Sequence, residues 1–347
     1  MITSKNKEID TSMQGRLLRN SKLLRLAAII AVLTLGLLLP IIRASAATAP
    51  AGNGLRISPV RTDLTIAPGK SQTVNISITN VTGAAATFQA IINDFVANSD
   101  ESGNPAIILD PTKYAPSHSL KRFVAPVSTV TLQPGEQKNV PIVINIPANA
   151  AGGGYYGAVR FAPADLSGTK GKQVSLSGSV GSLILVKVPG DVKEQLSVAG
   201  VAVYSGKHSS NFFTTNKNLS VQLRFQNEGN IQEAPFGKLL VKDRSNKIIG
   251  TYELNNINPP GNVLPDSIRR FTIPIKTGHL GEYKIEGNFG YGSSGQLLSV
   301  ATTIYIIPLS LIIAFIVLVA LLAGAIFGIP RLVKAYNRRV LRRAGRR

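Results

Sequence analysis

Gln72-Thr73-Val74-Asn75-Ile76-Ser77-Ile78-Thr79-Asn80 alternates apolar and polar residues from Thr73 onward. In an extended chain successive side chains point to opposite faces, so Val74, Ile76 and Ile78 share one face and Thr73, Asn75, Ser77 and Thr79 the other. A strand of this kind is dry on one side and wet on the other, as in an antiparallel sheet packed on one face. Val140, Ile142, Ile144 and Ile146 alternate in the same way. Each stretch has a similar lead: Leu64-Thr65-Ile66-Ala67-Pro68-Gly69-Lys70 before Val74, and Val130-Thr131-Leu132-Gln133-Pro134-Gly135-Glu136 before Val140. Both read as strand, turn, strand, with Pro setting φ at the first central turn position and Gly supplying positive φ at the second. Val263-Leu264-Pro265-Asp266-Ser267, leading into residues 270–275, has a similar plan.

Working outward, the period stays at two between Asn53 and Thr303, with Val, Ile, Thr, Phe and Tyr abundant. Residues 152–162 and 174–188 read as paired strands around a polar 165–172 loop, and Pro189-Gly190-Asp191 then breaks the pattern. Further strands are expected near 198–204, 219–226, 237–243, 269–275 and 281–289. Short strands with turns about every ten residues predict an all-β ectodomain of two tandem immunoglobulin-like β-sandwich domains, 54–190 and 191–303. The chain has no cysteine, so no disulfide framework holds these sandwiches and their hydrophobic cores must.

The two ends obey other rules. Lys5, Lys7, Arg16, Arg19, Lys22 and Arg25 precede an uncharged apolar run from residue 26 to 42, and Ala44-Ser45-Ala46 comes next. That order makes residues 1–46 a signal peptide, with an uncleaved signal anchor as the alternative. Residues 304–329 form a second run without a charge, long enough to cross the hydrocarbon core as one transmembrane α-helix. Residues 330–347 carry eight arginines and lysines and no acid, a basic tail that stays on the cytoplasmic side. The expected location is therefore the cytoplasmic membrane, single pass, with the ectodomain extracellular and the C-terminus cytoplasmic. The tail's apolar residues recur at helical spacing, which would let it lie along anionic headgroups; a plain stop-transfer anchor is the favoured alternative. Most of the formal charge of +20 belongs to these ends, leaving about +7 between them, and no basic stripe suggests nucleic acid.

Several segments together resemble the WxL-interacting proteins of Gram-positive bacteria, which also carry the domain of unknown function numbered 916. They are Ile57-Ser58-Pro59-Val60, Pro68-Gly69 leading to Val74-Asn75-Ile76 and Asn80, Gly153-Gly154-Tyr155-Tyr156-Gly157-Ala158-Val159-Arg160-Phe161, and Asn227-Glu228-Gly229-Asn230 with Pro235-Phe236-Gly237 after it. The resemblance implies a first domain that contacts peptidoglycan and a second that contacts another surface protein or a host ligand. No contact residue of the family transfers to a position here.

Catalytic patterns are missing from the sequence. His118, His208 and His279 stand in no metal or triad context, and the scattered acids offer no evident pair for hydrolysis. Asn98, Asp100, Ser102 and Asn104 around Gly103 look like half a calcium loop, but Leu109 stands where the closing acid belongs, so a solvated hairpin turn is expected. Gly152-Gly153-Gly154 lacks the Lys and Ser/Thr of a phosphate loop and reads as a flexible lead or a close backbone approach. The sequence thus predicts no catalytic, cofactor-binding or metal residues, no cofactor and no enzyme. It predicts a membrane-anchored surface binding and adhesion protein whose sandwiches contact peptidoglycan or another surface protein. The alternatives are an envelope hydrolase with an unrecognised carboxylate pair and a ligand-sensing subunit of a membrane complex.

Overall fold

The computed structural model describes residues 54–164 and 180–344; the expected signal peptide, the 165–172 loop and the last three residues lie outside them. In chain order the first strands are β1 (Leu55–Ser58), β2 (Arg61–Thr65), β3 (Ser71–Asn80), β4 (Ala86–Ala97), β5 (Pro105–Ile107), β6 (Val130–Leu132), β7 (Gln137–Asn145), β8 (Gly153–Pro163) and β9 (Val180–Val188). One sheet has the order β1–β3–β7 and the facing sheet β2–β9–β8–β4, with β5 and β6 both pairing with β4. The alternation is realised: Ile76, Ile78, Ile142 and Ile144 are fully buried and meet Phe88, Phe161, Ile184 and Val186 from the facing sheet. Burying each such side chain stabilises by about 2–3 kcal/mol.

The second sandwich is built from β10 (Leu196–Ser205), β11 (His208–Ser209), β12 (Phe212–Phe213), β13 (Leu219–Asn227), β14 (Phe236–Asp243), β15 (Ile248–Leu254), β16 (Ser267–Pro274), β17 (Gly281–Tyr291) and β18 (Gln296–Ile306). They form the sheets β11–β10–β13–β16 and β12–β18–β17–β14–β15 around a separate core. Phe225 and Phe289 meet edge to face across it at 5.5 Å. In both sandwiches the long strands share one connectivity: β3 with β7 and β13 with β16 on one sheet, β9–β8–β4 and β18–β17–β14 on the other. This is the immunoglobulin-like plan expected from the sequence.

The same corner closes each sandwich. Asn80, at the end of β3, donates from Nδ2 to the carbonyls of Ala84 (2.8 Å) and Leu132 (3.1 Å) and accepts the Thr82 N–H at Oδ1 (3.0 Å). Asn227, at the end of β13, donates to Ile231 (2.7 Å) and Val263 (2.9 Å) and accepts the Gly229 N–H (2.9 Å). Their own carbonyls accept the N–H groups of Gly135 and Asp266, both at positive φ (76° and 55°).

At the C-terminal end the boundary moves. The sequence puts the span at 304–329, but β18 continues to Ile306, and Ile304 and Ile306 are buried in the second core. The strand's alternation runs directly into the apolar run, so composition alone places the start too early. Helix α1 (Leu309–Ala344) then passes through Pro330, so the described part of the expected tail, 330–344, continues the helix. Leu309–Arg338 contains a stretch of mean hydropathy 3.0 and is, among the described residues, the one helix long and apolar enough to cross a membrane.

Candidate functional site

Between β5 and β6 the chain makes a long excursion across the end of the first sandwich, and two side chains at the end of β4 hold it. Asp94 is buried and accepts the Ala115 N–H at Oδ2 and the Lys121 N–H at Oδ1, both at 2.9 Å. Neighbouring Asn93 donates to the Ile108 carbonyl at 2.7 Å. The excursion thereby sets Pro116, Ser117 and His118 against the start of β8. His118 adopts φ of 60°, donates from Nδ1 to the Gly154 carbonyl (2.6 Å) and accepts the Tyr156 N–H at its own carbonyl (2.8 Å).

Tyr156 and Phe95 lie 5.8 Å apart in a small apolar cluster with Ala158 and Leu185, outside the main core, and Leu264 of the second sandwich packs against it. Burial raises the Tyr156 phenol above its usual range, and its hydroxyl donates to Gln232 at 2.9 Å. Beside this cluster opens a cleft of about 480 Å³, walled by Phe95, Ser99, His118 and Tyr156 from the first sandwich and by residues 264–268 from the second. Its size falls in the range of small-ligand sites. Its lining combines aromatic and aliphatic groups with hydroxyls, the His118 imidazole, the Asn98 amide and the carboxylates of Glu101 and Asp266. Phe95 and Tyr156 are themselves buried and back the cleft rather than face into it, so contact with a sugar or peptide falls to the polar groups and to Leu264, Pro265 and Ile268 around it.

Polar ties fix the two walls. The 98–104 turn between β4 and β5 reaches the second sandwich, where Glu101 forms a two-pronged ion pair with Arg224, 123 residues away. The hydrogen bonds from Arg224 hold the Glu101 carboxyl below the usual range. Arg270 adds bonds from its N–H to the Glu101 carbonyl (2.8 Å) and from its guanidinium to the Asp100 carbonyl (3.1 Å). On the other side Asn230 donates to the carbonyls of Gly152 (3.2 Å) and Asp191 (2.8 Å), and the Gly154 N–H donates to the Asn230 carbonyl (2.8 Å). A Cβ on Gly153 would sit 2.8 Å from that carbonyl, so Gly153 lies where two backbones meet.

Of the residues weighed from the sequence, only His118 among the histidines reaches the cleft. His208 and His279 lie in exposed positions near the opposite end of the second sandwich. The half calcium loop is the docked turn just described: Asp100 accepts the Ser102 N–H at 2.9 Å, and among the described residues no group of three acids or histidines could hold a metal. The structure does bring together two carboxylates that the sequence did not pair. Glu233 accepts the Gly292 N–H (3.0 Å), and Glu194 accepts the adjacent Ser293 N–H and hydroxyl (2.7 Å each). Burial, then the charge of Glu194, pushes the Glu233 carboxyl up to about 7. Burial alone would also raise Glu194, but the Ser293 bonds and Lys187 outweigh it and hold that group below its usual range. Neither carboxylate lines the cleft, and both are engaged by the β17–β18 turn.

Residues 62–163 match the family model of the WxL Interacting Protein, peptidoglycan binding domain. The match bears out the resemblance drawn from the motifs and contains the whole first-sandwich wall of the cleft. It supports a cell-surface peptidoglycan-binding protein. No curated protein matches the sequence. Among solved structures, the class 5 fimbriae chaperone CfaA aligns at 11% identity and a TM-score of 0.36, covering 74% of this chain and 100% of that one. The CsuC–CsuE chaperone–tip adhesion subunit pre-assembly complex of the archaic Csu pili of Acinetobacter baumannii aligns at 14% identity and a TM-score of 0.32, covering 71% and 97%.

Proposed function

We propose that this protein is a non-enzymatic binding protein held at the cell surface by α1, and that peptidoglycan binds at the first sandwich with the cleft as its contact. One observation carries the reading: the span matching a peptidoglycan-binding domain is the span that supplies Phe95, Ser99, His118 and Tyr156 to the cleft wall. The sandwiches serve as two domains dividing near Gly190, and the second leaves its outer surface for a protein partner. Thirty residues from Leu309 to Arg338 at about 1.5 Å each exceed a hydrocarbon core of roughly 30 Å, which supports a single membrane pass. Arg331, Lys334 and Arg338 at its end favour a cytoplasmic C-terminus. The hydrolase alternative is disfavoured because Glu194 and Glu233 hold a turn away from the cleft, and of the two acids that line it Glu101 is tied to Arg224, leaving Asp266 without a second free carboxylate.

Co-sedimentation of the detergent-solubilised chain with purified peptidoglycan tests the reading. The chain should pellet with the wall and release no soluble fragments. Ser99→Trp, a change at an exposed position of the rim, should weaken binding at least about ten-fold with the fold unchanged, the size expected when a pocket is filled. Binding unaffected by Ser99→Trp removes the cleft from the site. Release of glycan or peptide fragments replaces a binder with an enzyme.

A further inference from the structure

We propose that the base of the second sandwich is itself a lipid-contacting surface, seated in the headgroup layer of the leaflet that α1 enters. The inference rests on reading α1 as a membrane span and goes beyond it by giving the sandwich a bilayer contact of its own. Strand register gathers the parts. The last pair of β17 and β18 is Gly281 with Ile306, while Leu219 at the start of β13 faces Ser205 at the end of β10. The Ile275 N–H donates to the Leu219 carbonyl at 3.0 Å. The turn after β10, the segment before β13 and the loop before β17 therefore lie at the end where β18 gives way to α1. There β12 runs beside the end of β18, with the Tyr305 N–H on the Asn211 carbonyl (2.7 Å) and the Ile307 N–H on the Phe213 carbonyl (2.9 Å).

This end has an unusual surface for a water-facing one. Phe212 is 65% exposed and stacks on Tyr305 with centroids 5.1 Å apart, and Leu280 and Ile307 stand out beside them at 55% and 43%. Lys207, Lys217 and Lys276 are exposed around these groups, with Arg244 and Lys247 in the neighbouring β14–β15 turn; the acids at this end are Glu282 opposite Tyr305 and Asp243 at the end of β14. Aromatic rings with one wet edge collect at the membrane–water interface, and lysine can lay its stem on apolar surface while its ammonium sits among phosphates. Distance completes the argument. Only Ile307 and Pro308 separate β18 from α1, and three Cα steps of about 3.8 Å span at most roughly 11 Å. The headgroup layer on one side of a bilayer is roughly 5–8 Å deep. Even fully extended, that connector exceeds the headgroup depth by only a few ångströms, so the 206–218 and 275–281 loops, which project beyond the end of β18, reach the headgroups when the first turn of α1 lies in hydrocarbon.

The chain contains no cysteine, so single introduced thiols can carry a dye without background. The full chain would be reconstituted in phosphatidylglycerol–phosphatidylcholine vesicles as three labelled variants: Thr214→Cys at the base, Ile316→Cys within α1 and Asn256→Cys at the far end. Quenchers attached to headgroups or to mid-chain carbons then report depth. Headgroup quenching at 214, mid-chain quenching at 316 and neither at 256 is the expected result. Replacing Phe212 and Tyr305 by serine and Lys276 by glutamate should cut quenching at 214 at least two-fold and leave 316 unchanged. Position 214 behaving like 256 while 316 is quenched overturns the seating and leaves the span intact. No quenching at 316 overturns the span and the seating with it.

Discussion

Asn80 and Asn227 close the same corner with the same three hydrogen bonds, yet the segments beyond the two asparagines differ. After Asn80, residues 81–85 are exposed and touch only their own sandwich. After Asn227, the corner continues into Asn230, Gln232 and Glu233, which bind Gly152, Tyr156 and the β17–β18 turn. The fold thus uses one corner twice, and the longer second corner supplies one tie between the sandwiches while the docked 98–104 turn supplies the other. With the docked 98–104 turn on the other side, that corner fixes the walls of the cleft.

Removing the Asn227 amide should have the largest effect. Asn227→Ala leaves two buried carbonyls and one buried N–H without a partner, a cost on the order of 3 kcal/mol; Asn80→Ala leaves only the Leu132 carbonyl buried and unpaired, since Thr82 and Ala84 are exposed, and should cost about 1–2 kcal/mol. Urea unfolding of the chain, monitored by circular dichroism, measures it. Asn227→Ala should cost the more of the two, and it alone should also weaken peptidoglycan binding, since only that corner reaches the cleft. Equal loss of binding in Asn80→Ala would show that stability, not the joint, controls the site.

An effect of similar size separates the sandwiches by pH. The folded Glu233 carboxyl sits at about 7, above its ordinary value of 4.5, so folding favours its protonated form. Its contribution is fully present below pH ~4.5 and is lost as pH rises through about 7, amounting to roughly 3 kcal/mol. Glu194 and Lys187 are the charged groups facing it. Glu233→Gln should flatten this part of the profile and leave the variant more stable than the parent at pH 8, the two converging near pH 4. Amide exchange in the β17–β18 turn should track the same curve, while residues 81–85 should not. A parent profile that is flat from pH 4 to 8 would show the carboxylate to be fully compensated in its charged form.

Much of the fold was legible because burial imposes a period of two on Val74–Ile78 and Val140–Ile146, and because the Pro-Gly turns mark their own φ requirements. Edge strand β15 was not, since half-exposed Ile248 and Ile249 show no alternation, and β18 was hidden by merging with the apolar run of α1. The cleft was the least legible part. Asp94, Asn230 and Gln232 act through backbone carbonyls and N–H groups or a single distant hydroxyl, contacts that leave no spacing pattern. Glu101 and Arg224 meet only in three dimensions, so the alternation of Asn98, Asp100, Ser102 and Asn104 could not show that the turn docks.

The smallest effect tests whether the two corners remain interchangeable. Gly135 and Asp266 hold the same left-handed position, each donating to its corner asparagine's carbonyl. Nothing lies within 4 Å of a Cβ built on Gly135, so Gly135→Ala costs only backbone strain, about 1 kcal/mol. Aspartate tolerates that conformation better than alanine. In Asp266→Gly the strain released is offset by the freedom glycine gains when unfolded, so stability should stay within about 0.5 kcal/mol. Thermal unfolding of both variants decides this. Asp266 also borders the cleft and is exposed, whereas Gly135 faces open solvent. If Asp266→Gly keeps the parent's stability but lowers peptidoglycan binding, aspartate stands at this turn for its carboxylate rather than for its backbone. If both stay unchanged, the second corner carries aspartate only because the left-handed position accepts it.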